Sequence, residues 1–358
     1  MKKINISNYN TLLFFILKSC FFGIAGSNLY LLSKQDGWLS IIIGFLTGFL
    51  LLYLYYLIIK KYPDKNIIEI IELNSSKTVS LIIKVIYVIL LFVFATSVFY
   101  NLINFINTQF LYRTPNLAIA IMFGICLYYL LHKGIIAICR TSTILFYIYI
   151  LLYLSVVIGL LPQTDLTNFL PIFKTNIGSL LLGTFNIIFL NISPLFLLTI
   201  IPYNTISKKE KLIKNVLIFY TLGFFAIFTV NFFVTSIYGS NLARIIQYPE
   251  FYLLKRLSLI GFIERVEKVL FIQWIFSLVL VIVLSLYFIK KILIKKKENN
   301  TFIDFLLIIF LIFFVLYIFK NNALANNFYL YVLPFLCLFI FIIIPIFIYI
   351  KTKKHTNY

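Results

Sequence analysis

Charge is scarce in this chain. Of its 358 residues 12% are charged and only 11 are acidic, whereas soluble globular domains carry about 25% charged residues. Histidine occurs twice, at His132 and His355, and cysteine four times, at Cys20, Cys126, Cys139 and Cys337. No His-Glu-x-x-His run and no glycine-rich phosphate loop occurs, so zinc hydrolysis and nucleotide binding have no motif here. The cysteines are scattered, mostly within apolar stretches and without paired spacing, which implies neither a disulfide framework nor a metal site. None of the acids falls at the middle of an apolar segment: Asp36, Asp64, Glu69, Glu72, Asp165, Glu210, Glu250, Glu264, Glu267, Glu298 and Asp304 sit in connections or near segment ends. A proton pump built on intramembrane carboxylates is therefore not expected. Nor are catalytic residues, a metal or a cofactor.

What the chain has in abundance is apolar length. It is 62% hydrophobic with a mean hydropathy of +1.04, and apolar segments recur at about residues 11–32, 39–59, 79–105, 115–131, 142–161, 178–201, 213–238, 267–289, 302–319 and 328–350. A membrane-crossing helix needs roughly 20 such residues, so the expectation is an all-α polytopic membrane protein with ten spans in a single transmembrane domain over 1–358. The net charge of +20 does not point to nucleic acid, because the basic residues sit in short connections rather than on one face or tail. Assigned alternately, twenty of the 31 lysines and arginines fall on one side and nine on the other, leaving Lys18 and Lys84 within segments. Positive residues mark the cytoplasmic side, which places both termini there. Lys2 and Lys3 before an apolar run superficially resemble a secretory signal. Lys18 interrupts that run and many spans follow, so the first helix is read as uncleaved.

The first segment, Thr11 to Leu32, is the one around which the rest is organised. Its middle reads Phe21-Phe22-Gly23-Ile24-Ala25-Gly26-Ser27-Asn28, and each glycine weakens a helix by about 1 kcal/mol. Unwound backbone at membrane depth survives only where protein buries it or a cavity receives it; the alternative is that the small residues merely allow close helix packing. The sixth segment supplies a second irregularity, with Gly178, Gly183, Asn186, Asn191, Ser193 and Pro194; Pro194 removes a backbone hydrogen bond and clashes one turn back. Segments one and six hold corresponding places in two halves of five, about 11–161 and 178–350. Interrupted helices at matching places point to a transporter-like site at the bilayer midplane, where inverted repeats meet. Freed amides suit a carboxylate and freed carbonyls an ammonium or small cation, which together favour a small zwitterion such as an amino acid. Gly23, Ala25, Gly26, Ser27, Asn191, Ser193 and Pro194 are the candidate ligand-binding residues. Tyr100 and Asn101 join them, with Thr96, Ser97, Asn104, Gln273, Trp274 and Ser277 available to complete the pocket or only to hydrogen-bond between helices.

Lys18 lies about two turns into the first segment, and an ionisable residue there is a functional candidate by default. It could donate a proton, stand as a fixed charge at a cation position, or snorkel to the surface. The outer connection Gly239 to Val266 starts a helix at Tyr248-Pro249 and mixes apolar with basic residues, as an amphipathic helix on the outer face would; a plain loop packed on the bundle is the alternative. Glu264 and Arg265 are adjacent and cannot face each other on a helix. Each is expected to pair with a different segment, unless both are simply solvated.

Two patterns bring a family into view. Lys34-Gln35-Asp36-Gly37-Trp38-Leu39-Ser40 follows the first segment, and Tyr248-Pro249 is followed by Leu253-Leu254, then Gly261-Phe262-Ile263-Glu264-Arg265 and Trp274. In these patterns, in segment count and in length the chain resembles the B subunit of spore germinant receptors, the endospore germination permease family. The resemblance implies the fold of the amino acid, polyamine and organocation transporter superfamily, with ten helices in a 5+5 inverted repeat and helices 1 and 6 broken. It also implies a germinant-sensing subunit in the spore inner membrane, beside an A-type subunit and a lipoprotein C-type subunit, with Gly23 to Ser27 contacting the nutrient, often an amino acid. One departure is plain: many members carry a glutamate near the middle of the sixth span, whereas Leu190 to Leu198 has Asn191 and Ser193 but no acid. Two other functions fit the composition, a stand-alone amino-acid transporter of the same fold and a membrane glycan polymerase or flippase. The last would need the outer arginines Arg244, Arg256 and Arg265.

Overall fold

In a computed structural model of the full chain, residues 3–256, 267–294, 300–319 and 321–354 are described. Among them ten helices are long and apolar enough to cross a membrane: span 1 (Ile6–Leu32), span 2 (Lys34–Lys61), span 3 (Lys77–Gln109), span 4 (Asn116–Lys133), span 5 (Ile135–Gln163), span 6 (Ile177–Ile200), span 7 (Lys209–Ala243), span 8 (Phe271–Leu293), span 9 (Thr301–Ile318) and span 10 (Asn322–Thr352). All ten apolar segments of the sequence are helical spans, and the protein is an all-α polytopic membrane protein. The described residues form no sheet; the one extended contact is a bridge between Ile4 and Ile206.

The helices start where side chains can take the first free amides. Asn176 accepts from the Gly178 amide at 2.8 Å, Asn300 from that of Ile303 at 3.4 Å and Asn321 from that of Leu324 at 2.9 Å, so these caps satisfy donors that the helix itself cannot. Before span 3, a short helix over Ile67–Asn74 is closed by a reciprocal pair, Asn66 with the Glu69 amide and Glu69 with the Asn66 amide, an arrangement that fixes both ends of the turn.

Burial sorts the spans. The apolar stretches of spans 1, 8 and 6 are 89, 78 and 67% buried, against 22–44% for the others, so these three form the axis of the bundle. Span 1 packs on spans 5, 7 and 8, span 8 also on spans 3 and 5, and span 2 on spans 6 and 7. The outer spans turn Leu46, Leu50, Ile125, Ile144, Leu151 and Phe313 outward. Apolar surface on that scale suits hydrocarbon and not water.

The outer connection differs from a helix laid flat on the membrane face. Pro249–Lys255 is a short helix that buries Pro249, Glu250, Phe251, Leu253 and Leu254 and packs against spans 7 and 8. Its basic end turns outward, with the ammonium of Lys255 over the Phe251 and Tyr252 rings at 4.8 and 4.3 Å and the Arg256 guanidinium 4.9 Å from the Tyr238 ring. Glu264 and Arg265 lie outside the described residues, as does His355.

Candidate functional site

Span 1 is helical to Ser19 and again from Gly26. Between them Phe22 is extended (φ −70°, ψ 122°) and Gly23 is left-handed (φ 72°, ψ −4°). A left-handed residue costs an L-amino acid about 1–2 kcal/mol, and a Cβ at Gly23 would stand 2.7 Å from the Tyr248 ring. Glycine therefore answers two demands there, conformation and room. The break frees carbonyls, and two asparagines take them: Nδ2 of Asn191, from span 6, donates to the Leu17 carbonyl at 3.0 Å, and Nδ2 of Asn101, from span 3, donates to that of Phe22 at 3.3 Å.

Span 6 is deformed rather than interrupted. It is α-helical to Ile187, widens over Ile188–Ile192, then tightens over Ser193–Ile200 with Pro194 at the start. Proline has no N–H to offer the carbonyl one turn back, and the widened turn absorbs the mismatch. The Ser193 amide reaches back five residues to the Ile188 carbonyl, which strands the Phe189 carbonyl, and the Ser193 hydroxyl satisfies it at 2.7 Å. The difference from span 1 is that no glycine stands at the strained point.

The outer connection fills the break from the other side. The Tyr248 ring lies against Gly23, and its hydroxyl accepts a hydrogen bond from Asn104 at 2.7 Å. The Glu250 carboxyl is so close to Gly26 that any Cβ there would overlap it. Glu250 is 2% exposed. Burial pushes its carboxyl up to about 8, opposed by the backbone amides of Glu250 and Gly23 beside it. One carboxyl oxygen, Oε1, has no hydrogen-bond partner, and the same holds for Tyr30 Oη and both amide atoms of Asn231. Gln273 Oε1 and Trp274 Nε1 are likewise buried without partners, and the Trp274 ring stands 5.7 Å from Phe22 and 6.2 Å from Tyr248.

On the other flank of the break, Lys18 is 2% exposed. Its ammonium lies 3.7 Å from the Tyr149 ring centroid and 5.6–5.8 Å from Phe14, Phe15 and Phe22. No carboxylate pairs with it among the described residues. It does not snorkel; aromatic faces hold it in the bundle.

The other residues singled out in the sequence divide into two groups. Around the break, Ala25 donates its amide to the Cys20 carbonyl at 2.8 Å, and Ser27 donates to the Gln247 carbonyl at 3.1 Å, tying span 1 to the outer connection. Thr96, Ser97 and Ser277 spend their hydroxyls on their own helices, and Tyr100 reaches away to Asn322 at 3.0 Å. Asp36 is wholly buried and accepts the Phe173 and Thr175 amides at 2.9 and 3.0 Å, which anchors the connection between spans 5 and 6. A pocket of about 300 Å³ between spans 1, 2, 6 and 7 is lined by Leu13, Tyr55, Leu195, Leu198 and Val216 among others. Its walls are apolar, unlike the break.

Glu250 is the functional candidate that position along the chain did not disclose. In the sequence it is one acid among several in the connections, yet its side chain reaches the break. The only local signal was an acid directly after Tyr248-Pro249, and proximity to Gly26 arises from folding back.

A ten-span helical membrane protein whose first span breaks at a glycine, with buried polar side chains beside the break, is the class these features define. A family model described as spore germination protein (spore permease) matches residues 11–323, and the chain belongs to that family. It is similar to the Bacillus subtilis (strain 168) protein named "Putative spore germination protein YfkT", with 25% identity over 260 residues, 72% of this chain and 70% of that one.

Proposed function

We propose that this chain is the nutrient-sensing subunit of a germinant receptor. It binds a small amino-acid-like ligand at the break in span 1 and signals the occupied state to A-type and lipoprotein C-type subunits in the spore inner membrane, with ion release as the output. In this reading the ten spans form two inverted halves of five, both termini are cytoplasmic, and spans 1 and 6 are the corresponding irregular helices. Membership of a spore germination family supports the setting. The observation that carries the site is the break itself. At Phe22-Gly23 the backbone leaves the helix among Asn101, Asn191, Tyr248 and Glu250, and unwound backbone inside a bundle is where membrane proteins of the transporter type hold small polar solutes.

Gly26→Leu and Ser193→Leu, introduced into an otherwise intact receptor, should raise the nutrient concentration needed for germination by tenfold or more. An unchanged dose response in a normally assembled complex would remove the pocket. Because the site has the character of a transporter's, a lone amino-acid carrier is the second reading. Saturable uptake by the purified chain in liposomes would favour it, and a requirement for the A-type and C-type subunits would exclude it.

A further inference from the structure

Beyond the break, where the outer helix folds onto the second half of span 1, buried polar atoms outnumber their partners. Glu250 Oε1, Tyr30 Oη and the Asn231 side-chain oxygen and nitrogen are all buried without partners, on three different elements: the outer helix Pro249–Lys255, the second half of span 1, and span 7. The Tyr30 hydroxyl lies beside Asn231 and within the field of the Glu250 carboxyl. Native interiors leave few polar groups unmatched, and each calls for a water, an ion or a ligand. An uncompensated buried carboxylate is costlier still. Yet no lysine, arginine or histidine pairs with Glu250 among the described residues, and the nearby cations Lys255 and Arg256 turn outward onto aromatic rings. Tyr30 and Asn231 can serve each other, which leaves the Glu250 carboxyl as the acceptor with least to take. The missing partner is therefore a compact donor with several N–H groups and a positive charge, and the Tyr248 ring against Gly23 offers it a π face.

Building on the function proposed above, we infer that Glu250 is the ammonium-recognising residue of this site, and that the ligand class is set by a primary ammonium rather than by a carboxylate. Without a cation beside it the carboxyl keeps its proton. When a cationic ligand enters, the proton leaves to water and the carboxylate accepts from the ammonium, with Asn231 Oδ1 and Tyr30 Oη as the further acceptors. Burial that holds the free carboxyl up at about 8 is consistent with a group that ionises only when a cation arrives. Because Glu250 belongs to the outer connection, the same contact ties ligand occupancy to the position of that helix.

The full chain in lipid nanodiscs, carrying Trp38→Phe so that Trp274 is the single tryptophan left of two, tests this by emission titration. The probes are L-alanine, ethylamine (an ammonium without a carboxylate), L-lactate (a carboxylate without an ammonium) and the remaining protein L-amino acids. L-alanine or another amino acid, and ethylamine, should shift the emission. Lactate should not, and Glu250→Gln, close in shape and hence in fold, should weaken the ammonium probes at least tenfold. Melting temperature and size-exclusion profile confirm that the variant is folded. Lactate binding as well as alanine, Glu250→Gln binding like the parent, or no ammonium compound binding the parent would each overturn the assignment. Ser193→Leu, whose hydroxyl serves the Phe189 carbonyl and not Glu250, separates the two claims. Loss of binding in Ser193→Leu with full binding in Glu250→Gln leaves the pocket and removes Glu250; the reverse pattern leaves Glu250 and removes span 6 from the pocket.

Discussion

At the scale of single residues, three positions in span 1 and its cover carry costs that the rest of the protein offsets. Gly23 is left-handed with Tyr248 against it, so Gly23→Ala meets both backbone strain and a side-chain overlap and should lower stability by about 2 kcal/mol, read as a fall in melting temperature. Glu250 has its carboxyl raised from 4.5 to about 8, so the folded state prefers it protonated. Its contribution to stability is complete below about pH 4.5 and is lost as pH rises toward 8. Tyr30 and Tyr248 face it, and burial holds the Tyr248 hydroxyl well above its usual range, so it stays neutral through that window. The melting temperature of the parent should therefore fall between pH 5 and 8, and the profile of Glu250→Gln should be flat by comparison. Lys18 has rings for company but no acid. A desolvated cation–π contact contributes about 2 kcal/mol, while desolvating an ammonium costs several. Lys18→Met should accordingly melt no lower than the parent while impairing the nutrient response. Of these three, the glycine and the lysine were legible because each is locally out of place in an apolar run. Glu250 was not, since nothing in a linear reading says which buried surface a connection will fold onto.

Among elements, the instructive contrast is between spans 1 and 6. Both read as irregular in the sequence, and glycine, proline and asparagine density is a sound local signal for that. It cannot say how each irregularity resolves. In span 1 a glycine at the weak point lets the chain leave the helix; in span 6 the proline only removes a donor, and a widened turn with the Ser193 hydroxyl repairs the loss. Asn191 and Asn101 stand out in the sequence as polar residues in apolar spans, while their acceptors, the Leu17 and Phe22 carbonyls, exist only because span 1 breaks. Asn191→Leu should strand the Leu17 carbonyl, costing about 1–3 kcal/mol, with a matching loss of thermal stability. A second tie joins spans 8, 9 and 4. The Lys290 ammonium is 2.6 Å from Asp304, and Nδ1 of His132 is 3.2 Å from the same carboxylate. Asp304→Asn leaves Lys290 buried and unpaired, and should destabilise the protein by about 3–5 kcal/mol, more than Lys290→Met does.

For the molecule as a whole, ten spans were readable because hydrophobic length is the most redundant signal a sequence carries, and each segment repeats it over about 20 residues. The charge asymmetry of the connections is equally redundant, and it makes a direct prediction: green fluorescent protein fused to either terminus should fluoresce, as it does only on the cytoplasmic side. The arrangement of the spans was less accessible. That spans 1, 6 and 8 form the buried axis follows from packing between distant segments, for which composition gives little guide, since the mean hydropathy of these three (1.7–2.5) falls within the range of the others (1.4–2.9).

The two halves of span 1 share one covalent joint, and each is fastened separately to span 6. Asn191 grips the half before the joint through the Leu17 carbonyl, and Asn186 accepts from Asn28 of the half after it at 2.8 Å. Span 6 thus acts as a splint across a fracture. Bending at the joint requires letting go of one fastening or flexing the splint, whose own weakest point, the widened turn Ile188–Ile192, carries the Asn191 attachment and begins just past Asn186. Movement of either half is thereby handed to span 6, and through the Asn28 bond to the Tyr329 carbonyl at 3.0 Å it reaches span 10 as well.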